Sequence, residues 1–120
     1  MSYSNPITVT YRFPAISVTG AATLGRFVGP SGMKGRLVDV AYVVTTGVTV
    51  AASNLIVGSA GDTDAYATLA VPVAAANSVG NGATLGVTTE LPADTVALVG
   101  SAGGATAGAV DALVTVNWYK

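Results

Sequence analysis

Val110-Asp111-Ala112-Leu113-Val114-Thr115-Val116-Asn117-Trp118 is the stretch that decides the fold. Val110, Ala112, Val114, Val116 and Trp118 recur every second residue, while Asp111, Thr115 and Asn117 fall between them. A period of two places one set against a core and the other in solvent, which is a half-buried β-strand. Pro6–Phe13 repeats the pattern: Ile7, Val9, Tyr11 and Phe13 face one way, Thr8, Thr10 and Arg12 the other. Pro14 is expected to stop that strand.

Composition points the same way. Ala (21), Val (19), Thr (15) and Gly (15) dominate the 120 residues. Stiff, β-branched Val and Thr suit a pleated surface, whereas good solvent-facing helix formers are nearly absent. Between the two amphipathic strands the chain reads as short strands cut by Gly and Pro. Ile16–Val18 and Thr23–Val28 are followed by a turn at Gly29-Pro30-Ser31-Gly32. Arg36–Thr46 is the longest strand, apolar on both faces and therefore placed centrally. Gly47 is expected to end it, with a return strand at Val48–Val50. Asn54–Val57, a polar loop at Gly58–Asp64 and Ala65–Val71 come next. Val73–Asn77 has room for one helical turn. Asn81-Gly82 signals a two-residue hairpin between Ser78–Val79 and Thr84–Thr88. Leu91–Asp94 turns into Thr95–Val99, and Gly100–Gly108 is a flexible loop. The reading is all-β: a single-domain β-sandwich over residues 1–120, jelly-roll-like, with about eight strands and little or no helix. Residues 1–14 form either an edge strand or a docking arm.

What is missing narrows the chemistry. With no Cys there is no disulfide, thiolate nucleophile or zinc ribbon; with no His there is no imidazole base or histidine metal site. No signal peptide or membrane span is expected. Asp62-Thr63-Asp64 offers oxygen ligands but lacks the further ligands of a calcium loop, and turn chemistry explains it equally. Paired carboxylates for a hydrolase can be drawn from Asp39, Asp62, Asp64, Glu90, Asp94 and Asp111, with no cleft signal beside them. Gly80–Gly86 and Gly29–Lys34 miss the spacings of nucleotide-binding loops and read as turns. No catalytic residue, cofactor or metal is expected, and no enzyme.

Only 9% of the residues are charged, against about 25% in ordinary soluble domains. Such a surface suggests burial against other protein. The charges are also split: residues 1–38 carry +4 from Arg12, Arg26, Lys34 and Arg36, and the remainder carries −5. Either the basic segment docks on an acidic partner, or interleaved strands mix the charges. Arg26, Lys34 and Arg36 beside Phe27 are too sparse for nucleic acid, given a pI near 4.9. Trp118 and Tyr119 fit either core and rim or an interface.

Gly29–Val40, Leu91–Val96, Gly103–Val110 and Ala112–Tyr119 resemble segments of tailed-bacteriophage capsid decoration, or cement, proteins. That resemblance implies a jelly-roll or β-sandwich body forming a homotrimer. It implies binding to the major capsid protein on the outer surface of the virion shell, after synthesis in the host bacterial cytoplasm. Candidate capsid-docking residues are Arg12, Phe13, Arg26, Lys34 and Arg36, within and beyond the segment Ser2–Phe13. Candidate interface aromatics are Tyr3, Trp118 and Tyr119. No nucleic-acid or membrane partner is expected. The alternative is a carbohydrate-binding jelly-roll module of a head-fibre or adhesion protein, needing an exposed platform from Tyr3, Tyr42, Tyr66, Trp118 or Tyr119.

Overall fold

The two alternating strands pair with each other. In the computed structural model, which describes residues 7–86 and 90–119, β1 (Ile7–Ser17) runs antiparallel to β10 (Ala107–Tyr119). On its other side β10 pairs with β3 (Lys34–Thr49), the longest strand. β3 also receives two short pieces, β6 (Val79–Gly80) and β8 (Glu90–Leu91). The second sheet has the order β2 (Ala22–Phe27), β9 (Ala97–Ser101), β4 (Ser53–Gly58), β5 (Ala67–Val71), β7 (Thr84–Leu85). The described residues contain no helix.

The pairs β1/β10, β2/β9, β3/β8 and β4/β5 are nested in sequence. They are the partners of one long folded-back ribbon, and successive strands of each arm alternate between sheets. Rolling such a ribbon into two layers yields the β-sandwich expected from the sequence.

The core lies between the layers and follows the period of two. Along β10, Val110, Ala112, Val114, Val116 and Trp118 are buried, in register with Val40, Val44 and Leu37 of β3. Leu55, Val57, Leu69, Val71, Ala97 and Val99 face them from the second sheet. Trp118 closes one end. Its indole N–H donates to Tyr11 Oη at 2.9 Å, and Phe27 meets it edge-on with centroids 6.4 Å apart. Tyr11 and Phe13 pack on Phe27 in turn. Gly29 and Gly35 are small because the indole lies where their Cβ would be. The opposite end holds a buried polar cluster: Ser53 Oγ donates to the Gly103 carbonyl, the Ser101 hydroxyl lies 3.2 Å from Ser53 Oγ, and the Gly103 N–H donates to Ser101 Oγ. Ser53 spends its one hydrogen on the carbonyl, so Ser101 donates to Ser53.

Four local expectations are corrected. Pro14 does not end β1. Residues 14 and 15 form a bulge opposite Asp111, with Ala15 at φ 56°, and the strand resumes at Ile16. The Ala15 N–H, freed from the ladder, donates to Asp111 Oδ1 at 3.0 Å. Gly47 does not end β3, and Val48–Val50 is no return strand. The register slips there and Val48 stays buried, bridging to Ala74. That bridge uses Val73–Asn77 as an extended bridge and turn, so the helical turn is absent. Asn81-Gly82 is not a hairpin tip: β6 joins the first sheet and β7 the second. The Asn-Gly conformation, with Gly82 at φ +83°, carries the chain across the edge of the sandwich instead, from the outermost strand of one sheet to that of the other. The Gly82 N–H donates to Asp39 Oδ1 there.

Candidate interaction surface

Whatever this molecule binds must meet its outer faces, because side chains at odd intervals along each strand point away from the core. On the first sheet, register brings rows together across strands. Thr8, Asn117, Arg36 and Glu90 form one row; Thr10, Thr115 and Asp39 form the next. Arg12, Lys34 and Arg36 share this face with Asp39, Glu90 and Asp111. Arg12 makes an ion pair with Asp111. Tyr119 donates to Glu90 Oε2, and Glu90 also lies opposite Arg36. The basic leading segment and the acidic remainder are thus interleaved, so the two blocks of charge mix on one surface.

Two pKa shifts follow from this packing. The Ala15 N–H and then the Arg12 guanidinium hold the Asp111 carboxyl below its ordinary value. The hydrogen bond to Glu90, followed by desolvation, raises the Tyr119 hydroxyl. Asn117 Oδ1 is buried without a hydrogen-bond partner in the middle of the row.

The second sheet's outer face differs in kind. Thr23, Arg26, Asn54, Ile56, Thr68, Ala70, Thr84 and Leu98 alternate outward there. Arg26 is the one charge carried by the strands of that face among the described residues, with Asp64 on the loop at its margin. Leu24 and Leu85 are exposed at its margins. An open groove of about 470 Å³ runs along Ala22, Thr23, Ile56, Thr63 and Asp64. A second, of about 330 Å³, lies on the first sheet along Ala41, Val43, Val79, Gly80 and Leu113. Both are shallow and open to solvent.

The sequence-derived candidates therefore separate. Arg12, Lys34 and Arg36 lie on one face and Arg26 on the opposite one, so the four cations make no single patch. Phe13 faces inward, half-buried, and the ring sits where a Cβ on Gly25 would be. Trp118 is 1% exposed and belongs to the core, which removes it as an interface aromatic. Tyr42 and Tyr66 are buried as well, so no sugar platform can be assembled from them. Tyr119 remains on the outer face, half-buried. Tyr3 and the segment before Ile7 lie outside the described residues.

The acids are scattered over outer strands, a turn and a loop. Asp62 and Asp64 come together on their exposed loop, where a hydrogen bond from one to the other, and then their like charge, raises Asp64. No group of three or more Asp or Glu side chains converges as a metal site among the described residues. The Ser53–Ser101 cluster and the buried Asn117 oxygen were not visible beforehand. Alternation puts Asn117 on the outer face but does not show its oxygen covered there, and Ser53 and Ser101 fall just outside the strands that the sequence marks.

No protein-family model and no curated protein matches this sequence. Solved structures do. A chain of the cyanophage Pam1 capsid asymmetric unit is similar with a TM-score of 0.52 and 24% identity, over 98% of this chain and 86% of that one. A chain of the capsid of Ralstonia phage GP4 gives a TM-score of 0.52 at 18% identity, covering 98% and 85%. What this likeness shows is the fold, an all-β body shared along nearly its full length with chains found in two phage capsids.

Proposed function

We propose that this chain is a structural protein of a tailed-bacteriophage virion, a trimeric cement protein on the outer surface of the shell. The observation that most supports this reading is the near-complete overlap of its fold with chains from two phage capsids. The scarcity of charge on the second sheet's outer face fits a surface covered by protein. The chain works without catalysis and without a cofactor. It binds the assembled shell better than free capsid subunits, and so stabilises assembly by mass action. A trimer touching several copies of the major capsid protein multiplies weak contacts through multivalency. Arg12, Lys34 and Arg36 can meet an acidic shell surface together; Arg26 meets it only in the reversed orientation.

Light scattering on the isolated protein is expected to give three times the chain's 11.8 kDa. The protein should also co-sediment with shells of the phage that encodes it, and raise their melting temperature. A monomer that stays in the supernatant at micromolar concentration refutes the reading.

A further inference from the structure

Most strand edges among the described residues are short or distorted. β6, β7 and β8 have two residues each, and β2 bulges at Leu24. These are the devices that keep sheet edges from pairing with other chains. β1 lacks them between Ile7 and Phe13. Over that span it pairs with β10 in unbroken register, and no described strand pairs with its other side. It contains no Pro, and its one charge is already matched by Asp111. Blunting begins only with Pro14 and the Ala15 bulge. The inward row of this strand is also incompletely covered. Ile7 is 48% exposed, and Val9, Tyr11 and Phe13 are half-buried although they face the core side.

We propose that this edge pairs antiparallel with the same edge of a second copy, about a two-fold axis at Thr10, joining two five-stranded sheets. The segment is self-complementary in that register. Ile7 falls opposite Phe13 of the second copy and Val9 opposite its Tyr11, giving aliphatic–aromatic pairs on the inner side. Thr8 falls opposite Arg12, and Thr10 opposite itself, so no like charges meet. Centring the pair on Tyr11 brings Pro14 into the ladder; centring it on Val9 shortens the ladder from the Phe13 end. The Thr10 register uses the whole regular edge. A contact of a surface with itself is two-fold, so it is separate from any threefold contact and does not rest on the cement-protein reading.

Single cysteines test the register cleanly because the chain has none. Directly opposed residues have Cα atoms about 4.5–5.5 Å apart, within disulfide reach. Thr10→Cys is expected to form a covalent dimer under mild oxidation, seen on a non-reducing gel. Thr8→Cys alone should not, because its own counterpart lies roughly 13 Å away along the ladder. Thr8→Cys mixed with Arg12→Cys should cross-link. Thr10→Lys, which sets two ammonium groups against each other on the axis, should keep the circular dichroism spectrum and remove the doubling of mass that light scattering reads for the unmodified protein as its concentration rises.

If Thr10→Cys links no faster than Thr8→Cys, or the mixture fails to link, the pairing is wrong. Residues 1–6 folded back on the edge, or a strand of another protein occupying it, would produce that result. All of these measurements are made without capsids. Failure to bind shells therefore leaves the pairing standing, and failure to cross-link leaves shell binding standing.

Discussion

Replacing Gly35 by Ala tests the packing that fixes Trp118. A Cβ built on Gly35 lies 2.5 Å from Trp118 Cζ3, 2.7 Å from Cε3 and 2.8 Å from Val116 Cγ1. All three distances are inside van der Waals contact, so something has to move. The indole has little freedom to do so: Tyr11 holds its N–H, Phe27 stands against it, and Gly29 closes another side. Overpacking of this kind costs about 1–3 kcal/mol. Ala recovers roughly 0.5–1 kcal/mol relative to Gly in a strand, because it has less backbone freedom to lose. The net loss is about 1–2 kcal/mol, which lowers Tm by roughly 3–10 °C in a domain of this size.

Thermal unfolding followed by the fluorescence of the single Trp and by circular dichroism reads it. Gly61→Ala is the control, since nothing lies within 4 Å of a Cβ there. Combining Gly35→Ala with Trp118→Phe relieves the two closest contacts and leaves only Val116 Cγ1, and a double-mutant cycle should give a coupling of about 1 kcal/mol or more. If Gly35→Ala is as stable as Gly61→Ala, or the two changes simply add, the close approach of Gly35 to the indole is not what the structure describes.

Three further outcomes follow from the bulge and the polar cluster. Asp111 has a depressed folded pKa, so its stabilising contribution is complete above the unfolded value near 3.8 and is lost as pH falls below it. Asp111→Asn should therefore flatten the acid limb of the stability–pH curve, measured by urea titration from pH 2 to 6; an unchanged limb contradicts the assignment. Ala15→Gly relieves a side chain from the left-handed region and should stabilise by about 1 kcal/mol, whereas Ala15→Val should destabilise; equal effects would place the bulge elsewhere. Ser101→Ala removes the acceptor for the Gly103 N–H and the donor to Ser53, costing about 1–3 kcal/mol by chemical denaturation. A cost near zero would mean that water replaces the hydroxyl.

The strands most legible in the sequence were those with one wet face. β10 alternates without a break, and the structure buries the residues that its spacing selects. β3 was harder. Its register slips at Val38, so burial switches from Gly35 and Leu37 to Val40, Tyr42 and Val44. That slip, rather than burial on both faces, explains why apolar residues occupy both parities. Asn81-Gly82 misled because a local turn preference says nothing about which sheet receives the next strand. That choice is made by pairing with Tyr42 and Val43 on one side and Ala67 and Thr68 on the other. The basic residues were legible as a block in sequence but not as a surface, because alternation sent Arg26 outward from the opposite layer. Trp118 fitted either the core and rim or an interface on sequence alone. Only the gaps left by Gly29 and Gly35 show that the fold was built around it.

The pairing of β1 with β10 has a kinetic side. Tyr11 and Trp118 touch across 107 positions of sequence, and β10 is the strand that separates β1 from β3 in their sheet. Until it has been synthesised, the first sheet has no centre, and its earliest strand waits with both edges and its apolar row uncovered. Contacts this distant in sequence favour folding on the millisecond-to-second scale rather than the microsecond scale of helical bundles. The first sheet therefore forms as a late, cooperative event, and a chain interrupted before residue 107 presents Ile7–Phe13 to whatever is nearby.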